Sequence, residues 1–138
     1  MTITYARSGA ATSKEGLEMY RLRVETSFAA AHKVVDSSGK CENLHGHTFT
    51  VELFVVGESK EQNGMVIDFA ILKAALQKVV EKLDHSYLNE NSELGNPTSE
   101  NIAEYIFGGL KKTLPAESKL EKVRVWEGPR SWVEYYGR

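Results

Sequence analysis

The stretch "DFAILKAALQKVVEKLDH" (residues 68–85) marks the point where the hydrophobic period of the chain changes. Its apolar residues recur at helical spacing, at Phe69, Leu72, Leu76, Val79, Val80 and Leu83. Asp68 can accept hydrogen bonds from the free N–H groups of a first helical turn, so an N-cap is predicted there. This helix separates a strand-rich first half of the chain from a mixed second half.

Two strands are predicted before the helix. Apolar and polar residues alternate from Tyr20 to about Ala31, which is typical of a half-buried strand. The same alternation returns in residues 48–56. Residues 34–43 have a loop composition and residues 58–64 a turn composition, so both segments are expected to connect regular elements.

A second helix and two further strands are predicted after residue 95. Thr98 or Ser99 can cap this helix, and its apolar residues recur every four positions, at Ile102, Ile106 and Leu110. The Gly108–Gly109 pair should weaken its second half, since each glycine costs about 1 kcal/mol relative to alanine. Residues 122–127 and 132–136 have the pattern of short strands.

This order of elements predicts an α+β fold, with one antiparallel sheet and two helices on one face. Such a sheet has an uncovered face and two free edges, and oligomerisation would cover them. Residues 1–18 are rich in Ser, Thr, Ala and Gly and are expected to be a loose extension. Residues 19–138 are expected to form a single domain.

The composition argues against several classes of protein. The chain of 138 residues is 41% hydrophobic, 26% charged and carries a net charge of -2, which gives no electrostatic case for binding nucleic acid or an anionic membrane. Its single cysteine excludes an internal disulfide and favours a reducing, cytoplasmic location. No apolar run approaches the roughly 20 residues of a membrane span, and residues 1–18 lack the apolar core of a secretory signal.

Three of the four histidines are placed where they can meet. His45 and His47 lie two residues apart at the start of an extended segment, so their side chains point to one face. If the first two strands pair as a hairpin, His32 lies beside them. Three imidazoles with an open fourth position suit a catalytic Zn²⁺ site. Spacing alone is equally compatible with ordinary hydrogen-bonded histidines.

Cys41 and the Asp84–His85 pair are the other candidates for chemistry. Cys41 lies in a polar loop and could be a fourth metal ligand, a base or nucleophile, or an inert thiol. Asp84 could fix the tautomer of His85 and raise its basicity. Alternatively, His85 is an ordinary residue near the negative end of a helix dipole.

Six motifs resemble one family of enzymes. They are "FAAAH" (28–32), "CENLHGH" (41–47), "GMVIDFAILK" (64–73), "LDHSYLN" (83–89), "NPTSENIA" (96–103) and "VRVWEGP" (123–129). Together, and in this order, they resemble the 6-pyruvoyl-tetrahydropterin synthases and the bacterial 6-carboxy-tetrahydropterin synthases of queuosine biosynthesis. The resemblance covers about residues 20–135.

The resemblance implies the tunnelling fold (T-fold), whose subunit has the element order ββααββ. In that family, trimers close a β-barrel and two trimers commonly stack into a homohexamer. The active sites lie between subunits, so one site draws residues from more than one chain.

The resemblance also implies a role for each candidate residue. It assigns three ligands to Zn²⁺: His32, His45 and His47. It makes Cys41 the catalytic proton acceptor, and Asp84 and His85 the proton-relay pair. Glu127 becomes the anchor of the pterin ring, since a carboxylate matches the paired N–H donors of the pterin edge.

The implied substrate is 7,8-dihydroneopterin triphosphate, and the favoured reaction forms 6-carboxy-tetrahydropterin with release of acetaldehyde and triphosphate. A 6-pyruvoyl synthase is the next candidate. A folate-type lyase follows, with Glu42 as a possible second acid/base residue. The family often has Glu-Thr where this chain has Glu127–Gly128, so a hydroxyl near the anchor is missing. A zinc-holding oligomer that binds pterin without turnover is the non-enzymatic alternative.

Overall fold

The computed structural model describes residues 3–5, 11–13, 19–40 and 42–138. In chain order the elements are β1 (Ile3–Tyr5), β2 (Ala11–Ser13), β3 (Tyr20–His32), β4 (His45–Gly57), α1 (Phe69–Val80), β5 (Ser86–Tyr87), a 3-10 helix (Leu88–Glu90), α2 (Ser99–Thr113), β6 (Lys119–Trp126) and β7 (Trp132–Tyr135). Strands β1 and β2, which lie in the segment expected to be a loose extension, pair only with each other among these elements. None of the helices within the described ranges is long and apolar enough to cross a membrane.

The main sheet has the order β5-β3-β4-β6-β7. β3 and β4 pair along their whole length, from Tyr20 opposite Gly57 to His32 opposite His45. β4 therefore begins three residues before the predicted start at residue 48, and both of its histidines lie inside the strand. The sequence predicts only antiparallel pairs. That holds for β3, β4, β6 and β7, but the two-residue strand β5 runs parallel to β3.

The two helices cover one face of this sheet, where α1 packs on β3 and α2 packs on β6 and β7. Asp68 caps α1 by accepting from the backbone N–H of Ala70 at 2.8 Å. Thr98, one of the two predicted caps, accepts from the N–H of Asn101 at 3.1 Å and begins α2. Buried apolar residues of both helices and of the sheet form one core beneath them.

The Gly108–Gly109 pair does not end α2, which continues to Thr113. A Cβ atom at position 109 would lie 2.8 Å from Cγ1 of Val79 on α1, which is closer than real side chains allow. Glycine at this position therefore lets the two helices approach closely. The local loss of helix propensity is offset by the packing that the close approach permits.

The face of the sheet opposite the helices carries a buried carboxylate, Glu52, which is 4% exposed. It accepts hydrogen bonds from Trp126 Nε1 at 2.8 Å, from Arg124 Nη1 at 3.1 Å and from Arg23 Nε. Burial alone would raise the pKa of Glu52, but these hydrogen bonds and the charges of both arginines outweigh it and lower the pKa. The charged network therefore stabilises the ionised form.

The free energy of unfolding of the Glu52→Gln variant is expected to be about 2 kcal/mol lower than that of the parent at pH 7. Hydrogen bonds to charged groups contribute about 1.5–3 kcal/mol. Because folding lowers the pKa of Glu52 below its ordinary value of 4.5, this stabilisation is present above that value. It is lost as the pH falls through the lowered pKa. Urea unfolding of both proteins, at the same protein concentration, should show this difference in free energy of unfolding at pH 7. The difference should become smaller at acidic pH. A difference that stays constant into acid would mean that the charge is not its source.

Candidate metal centre

Three histidines lie at one end of the β3–β4 hairpin, on one face of the sheet. His32 is opposite His45, and His47 is opposite Ala30. Alternate residues of a strand point to the same side, so these imidazoles share the side of the buried core residue Phe49. The hairpin register therefore brings together the three histidines that the sequence predicts to meet.

The three imidazole rings form a compact triangle. Their centroids are 4.7 Å apart for His32 and His45, 5.1 Å for His32 and His47, and 4.7 Å for His45 and His47. One nitrogen of each ring lies within 4.8 Å of the other two. This spacing is small enough for one ion to contact all three nitrogens.

Backbone carbonyls fix the tautomer of two rings. Nδ1 of His32 lies 2.9 Å from the oxygen of Pro97, and Nδ1 of His45 lies 2.8 Å from the oxygen of Asn43. A carbonyl oxygen can only accept, so each Nδ1 carries the proton and each Nε2 keeps a free lone pair. Histidine ligands of metals commonly have such a partner on the ring nitrogen that does not bind the metal.

The Nε2 atoms of His32 and His47 are buried and have no hydrogen-bond partner in the described part of the chain. Burial also lowers the pKa of His47, although the carboxylate of Glu127 opposes this shift. Neutral nitrogens that are buried without a partner carry a desolvation penalty unless a ligand satisfies them. Three imidazole nitrogens, two of them buried without a partner among the described residues, fit a divalent ion such as Zn²⁺ with an open fourth position.

A cavity of about 420 Å³ opens beside the rings of His32 and His45. It is lined by His32, Val34, Glu42, His45, Thr98, Ser99, Glu100, Glu127, Ser131, Trp132 and Val133. This volume lies within the usual range for small-molecule sites. Two of the three carboxylates singled out from the sequence for a chemical role, Glu42 and Glu127, lie in its wall.

Glu127 follows β6 and points toward the histidines. Its carboxylate oxygens lie 3.8 Å from Nε2 of His47 and 4.0 Å from Nε2 of His32. The hydroxyl of Ser99, in the first turn of α2, donates to Glu127 at 3.3 Å. The next residue, Gly128, has a φ of 114°, which favours glycine. The hydroxyl that reaches the carboxylate therefore comes from Ser99 of α2.

Asp84 and His85 lie beside Ala29, three residues before His32 on β3. Asp84 accepts from the backbone N–H of Ala29 at 2.9 Å, and the N–H of His85 donates to the oxygen of Ala29 at 2.6 Å. Nδ1 of His85 lies 3.1 Å from Asp84, whose pKa is lowered chiefly by the hydrogen bond from Ala29. The side chain of His85 is 83% exposed. Neither residue lines the 420 Å³ cavity within the described chain.

Similarity to known proteins identifies the family of this chain. The family model described as 6-pyruvoyl tetrahydropterin synthase matches residues 21–138. The chain belongs to this family. It is 44% identical over 114 residues to a dihydroneopterin monophosphate aldolase of Pyrococcus furiosus, covering 83% of this chain and 95% of that protein. It is 40% identical over 124 residues to a 6-carboxy-5,6,7,8-tetrahydropterin synthase of Synechocystis, covering 86% of this chain and 94% of that protein.

Solved structures of the 6-pyruvoyl tetrahydropterin synthase family share the fold. The enzyme of Caenorhabditis elegans superposes with a TM-score of 0.77 at 31% identity, covering 88% of this chain and 98% of that one. The family resemblance, the T-fold and the expectation of an enzyme of the lyase type are thereby confirmed. The sheet of a single chain is open and does not close a barrel by itself.

Cys41 lies outside the described residues, so its predicted role stays a prediction. Two residues, Pro97 and Ser99, also support the site of this tetrahydropterin synthase homologue through contacts that the sequence did not predict. Pro97 and Ser99 were noted only for helix capping or as part of a motif, and their contacts with His32 and Glu127 were not foreseen. A backbone carbonyl leaves no sequence signal of its own, whereas the Ser99 hydroxyl could have been suspected from its position at the start of α2.

Proposed function

We propose that this chain converts 7,8-dihydroneopterin triphosphate and water to 6-carboxy-5,6,7,8-tetrahydropterin, acetaldehyde and triphosphate, with Zn²⁺ held by His32, His45 and His47. The observation that carries the proposal is the triangle of imidazoles beside the cavity, with two buried Nε2 atoms that have no hydrogen-bond partner among the described residues. The 40% identity to the Synechocystis protein named as a 6-carboxy-5,6,7,8-tetrahydropterin synthase supports this reaction.

Glu127 is proposed to hold the substrate at the edge of its pterin ring. When bound, zinc supplies a Lewis acid that stabilises negative charge developing on the substrate side chain. The carboxylate of Glu127 can accept two N–H groups of the pterin at once, and such charge-assisted pairs are strong and directional. The contact with Ser99 limits the orientations of the carboxylate and prepares it for this task.

Cys41 is proposed to accept a proton from the substrate side chain as its thiolate, with His85 transferring protons on the other side under the control of Asp84. In a single chain His85 is exposed and lies outside the cavity wall. We therefore propose that the pair serves the site of a neighbouring subunit. The open sheet and its uncovered charged face support assembly into trimers and a homohexamer. We propose further that the protein acts in the cytoplasm, within queuosine biosynthesis.

The test is product identification after incubation of the zinc-loaded protein with dihydroneopterin triphosphate. Acetaldehyde together with 6-carboxy-tetrahydropterin is the expected result. A 6-pyruvoyl pterin would replace this proposal with simple triphosphate elimination, and unchanged substrate would leave only pterin binding. Light scattering or sedimentation of the same preparation tests the assembly separately.

An aldolase is a second candidate, favoured by the 44% identity to the Pyrococcus furiosus protein named as a dihydroneopterin monophosphate aldolase. The position of Glu42 in the cavity wall supports it, because a carboxylate there could act as the acid/base residue. This reaction would cleave the side chain of dihydroneopterin monophosphate to 6-hydroxymethyl-dihydropterin and glycolaldehyde phosphate. Incubation with the monophosphate distinguishes it, since the carboxy synthase is not expected to release glycolaldehyde phosphate.

The Glu127→Gln variant is expected to capture substrate more weakly. Loss of a charge-assisted hydrogen-bond pair costs about 2–3 kcal/mol, so KM should rise roughly 30- to 150-fold. Glu100→Gln is the matched control, since Glu100 lines the same cavity but makes no ion pair in the described chain, and its KM should stay near that of the parent. Steady-state kinetics of the three proteins give the comparison. An unchanged KM in Glu127→Gln would contradict the anchoring role.

A further inference from the structure

Two asparagine side chains form hydrogen bonds with the backbone just after the metal-ligand candidate His32. Asn89 accepts from the N–H of Lys33 at 2.8 Å and donates to the oxygen of the same residue at 2.8 Å. Asn96 accepts from the N–H of Val35 at 2.9 Å and donates to its oxygen at 3.0 Å. Each amide satisfies both backbone groups of one residue, as a neighbouring strand would.

The segment that the two asparagines bind is connected to the loop that contains Cys41. The oxygen of Val34, between the two bound residues, accepts from the N–H of Glu42 at 2.9 Å. The N–H of Asp36 donates to the oxygen of Lys40 at 2.7 Å, and the side chain of Asp36 accepts from the N–H of Lys40 at 3.0 Å. Both sequence neighbours of Cys41 are therefore tied to residues 34–36.

The second asparagine also belongs to the frame of the metal centre. Asn96 is followed by Pro97, whose oxygen accepts from Nδ1 of His32. The backbone oxygen of Asn96 accepts from the side chain of Asn101 at 2.7 Å, which fixes this segment to the start of α2. The same short segment thus orients a metal-ligand candidate and holds the loop beside it.

We propose that Asn89 and Asn96 are positioning residues that hold residues 33–36, and through them Lys40 and Glu42, against the cavity, and so set where Glu42 stands relative to His32. This inference rests on the proposed function, in which this loop supplies the proton acceptor. Neither asparagine lines the cavity, so both act through the loop rather than on the substrate. Misplacement of a reacting group by about 1 Å can lower the rate about 10²-fold. The hydrogen bonds of Asn89 and Asn96 are therefore important for turnover.

The test compares Asn89→Ala, Asn96→Ala and the double variant with Asn91→Ala. Asn91 is the matched control, because it lies in the same connection but, among the described residues, its side chain accepts only from the nearby N–H of Glu93 at 3.0 Å. In Asn89→Ala, Asn96→Ala and the double variant, kcat is expected to fall about 10- to 100-fold. Their KM should stay within about threefold of the parent, and their zinc content should be unchanged. Asn91→Ala should keep the parental kcat.

A second measurement reports on the loop without using activity. The backbone amide of Glu42 donates to Val34 and not to either asparagine. Its hydrogen exchange should become at least about tenfold faster in the Asn89 and Asn96 variants. Parental kcat in the double variant, a change in KM alone, or unchanged Glu42 exchange would each overturn the inference. If the parent protein shows no turnover but the Asn89 and Asn96 variants still exchange the Glu42 amide hydrogen faster, the proposed function is overturned. The positioning role of the two asparagines is then supported.

Discussion

The His47→Ala variant is expected to lose tightly bound zinc and, with it, turnover. Removing this ring leaves His32 and His45 as the only candidate imidazole ligands of the triangle. Changing an outer partner of a ligand typically lowers metal affinity about 10- to 100-fold, so loss of a direct ligand should exceed 100-fold. Metal analysis after dialysis against a weak chelator, followed by a competition titration with a coloured chelator, measures the affinity directly.

His85→Ala provides the control for this experiment. It removes the one histidine that is not part of the triangle, and its side chain is 83% exposed, so folding and zinc content should be unchanged. Its turnover should nevertheless fall if His85 transfers protons. The two variants therefore separate metal binding from proton transfer. Parental zinc affinity in His47→Ala would show that the imidazole triangle is not the metal site.

The convergence of the histidines was predictable because it follows from two simple regularities. Alternation in β3 and β4 determines which side each residue faces, and pairing of adjacent strands places His32 opposite His45. The same alternation places Glu127 on the side of the buried residues Val123 and Val125. The face of the sheet on which Glu127 lies was therefore predictable from the pattern of residues 122–127, whereas its role came only from the family resemblance.

The contacts that brace the site were not predictable in this way. Asn89 and Lys33 are 56 residues apart, and Asn96 and Val35 are 61 apart, so no local period connects them. β5 escaped prediction for a related reason, since two residues are too few to display alternation. Its pairing depends on a turn after α1 in which His85 adopts a positive φ of 57°. Side-chain bonds to distant backbone and single unusual φ values are features that only a folded chain reveals.

The Cys41→Ala variant is expected to keep its zinc and to lose at least about 10²- to 10⁴-fold in formation of 6-carboxy-tetrahydropterin, the usual contribution of a positioned acid or base. Three imidazoles already supply the ligand set of an open catalytic site, so the thiol is not needed as a fourth donor. Metal analysis and single-turnover kinetics on one preparation test both halves of this statement. Loss of zinc would mean that the thiolate is a ligand, and the base would then have to be another group.

Glu42→Gln completes the experiment, because the two candidate reactions are proposed to depend on different neighbours in one loop. In a carboxy synthase the thiol accepts the proton, so Glu42→Gln should alter turnover of the triphosphate only a few-fold. In an aldolase acting on the monophosphate, the carboxylate in the cavity wall takes that part. Glu42→Gln would then abolish cleavage, and Cys41→Ala would be tolerated. Measuring both variants on both substrates assigns the proton acceptor for each reaction, and if neither variant impairs either reaction, the loop is not the source of the base.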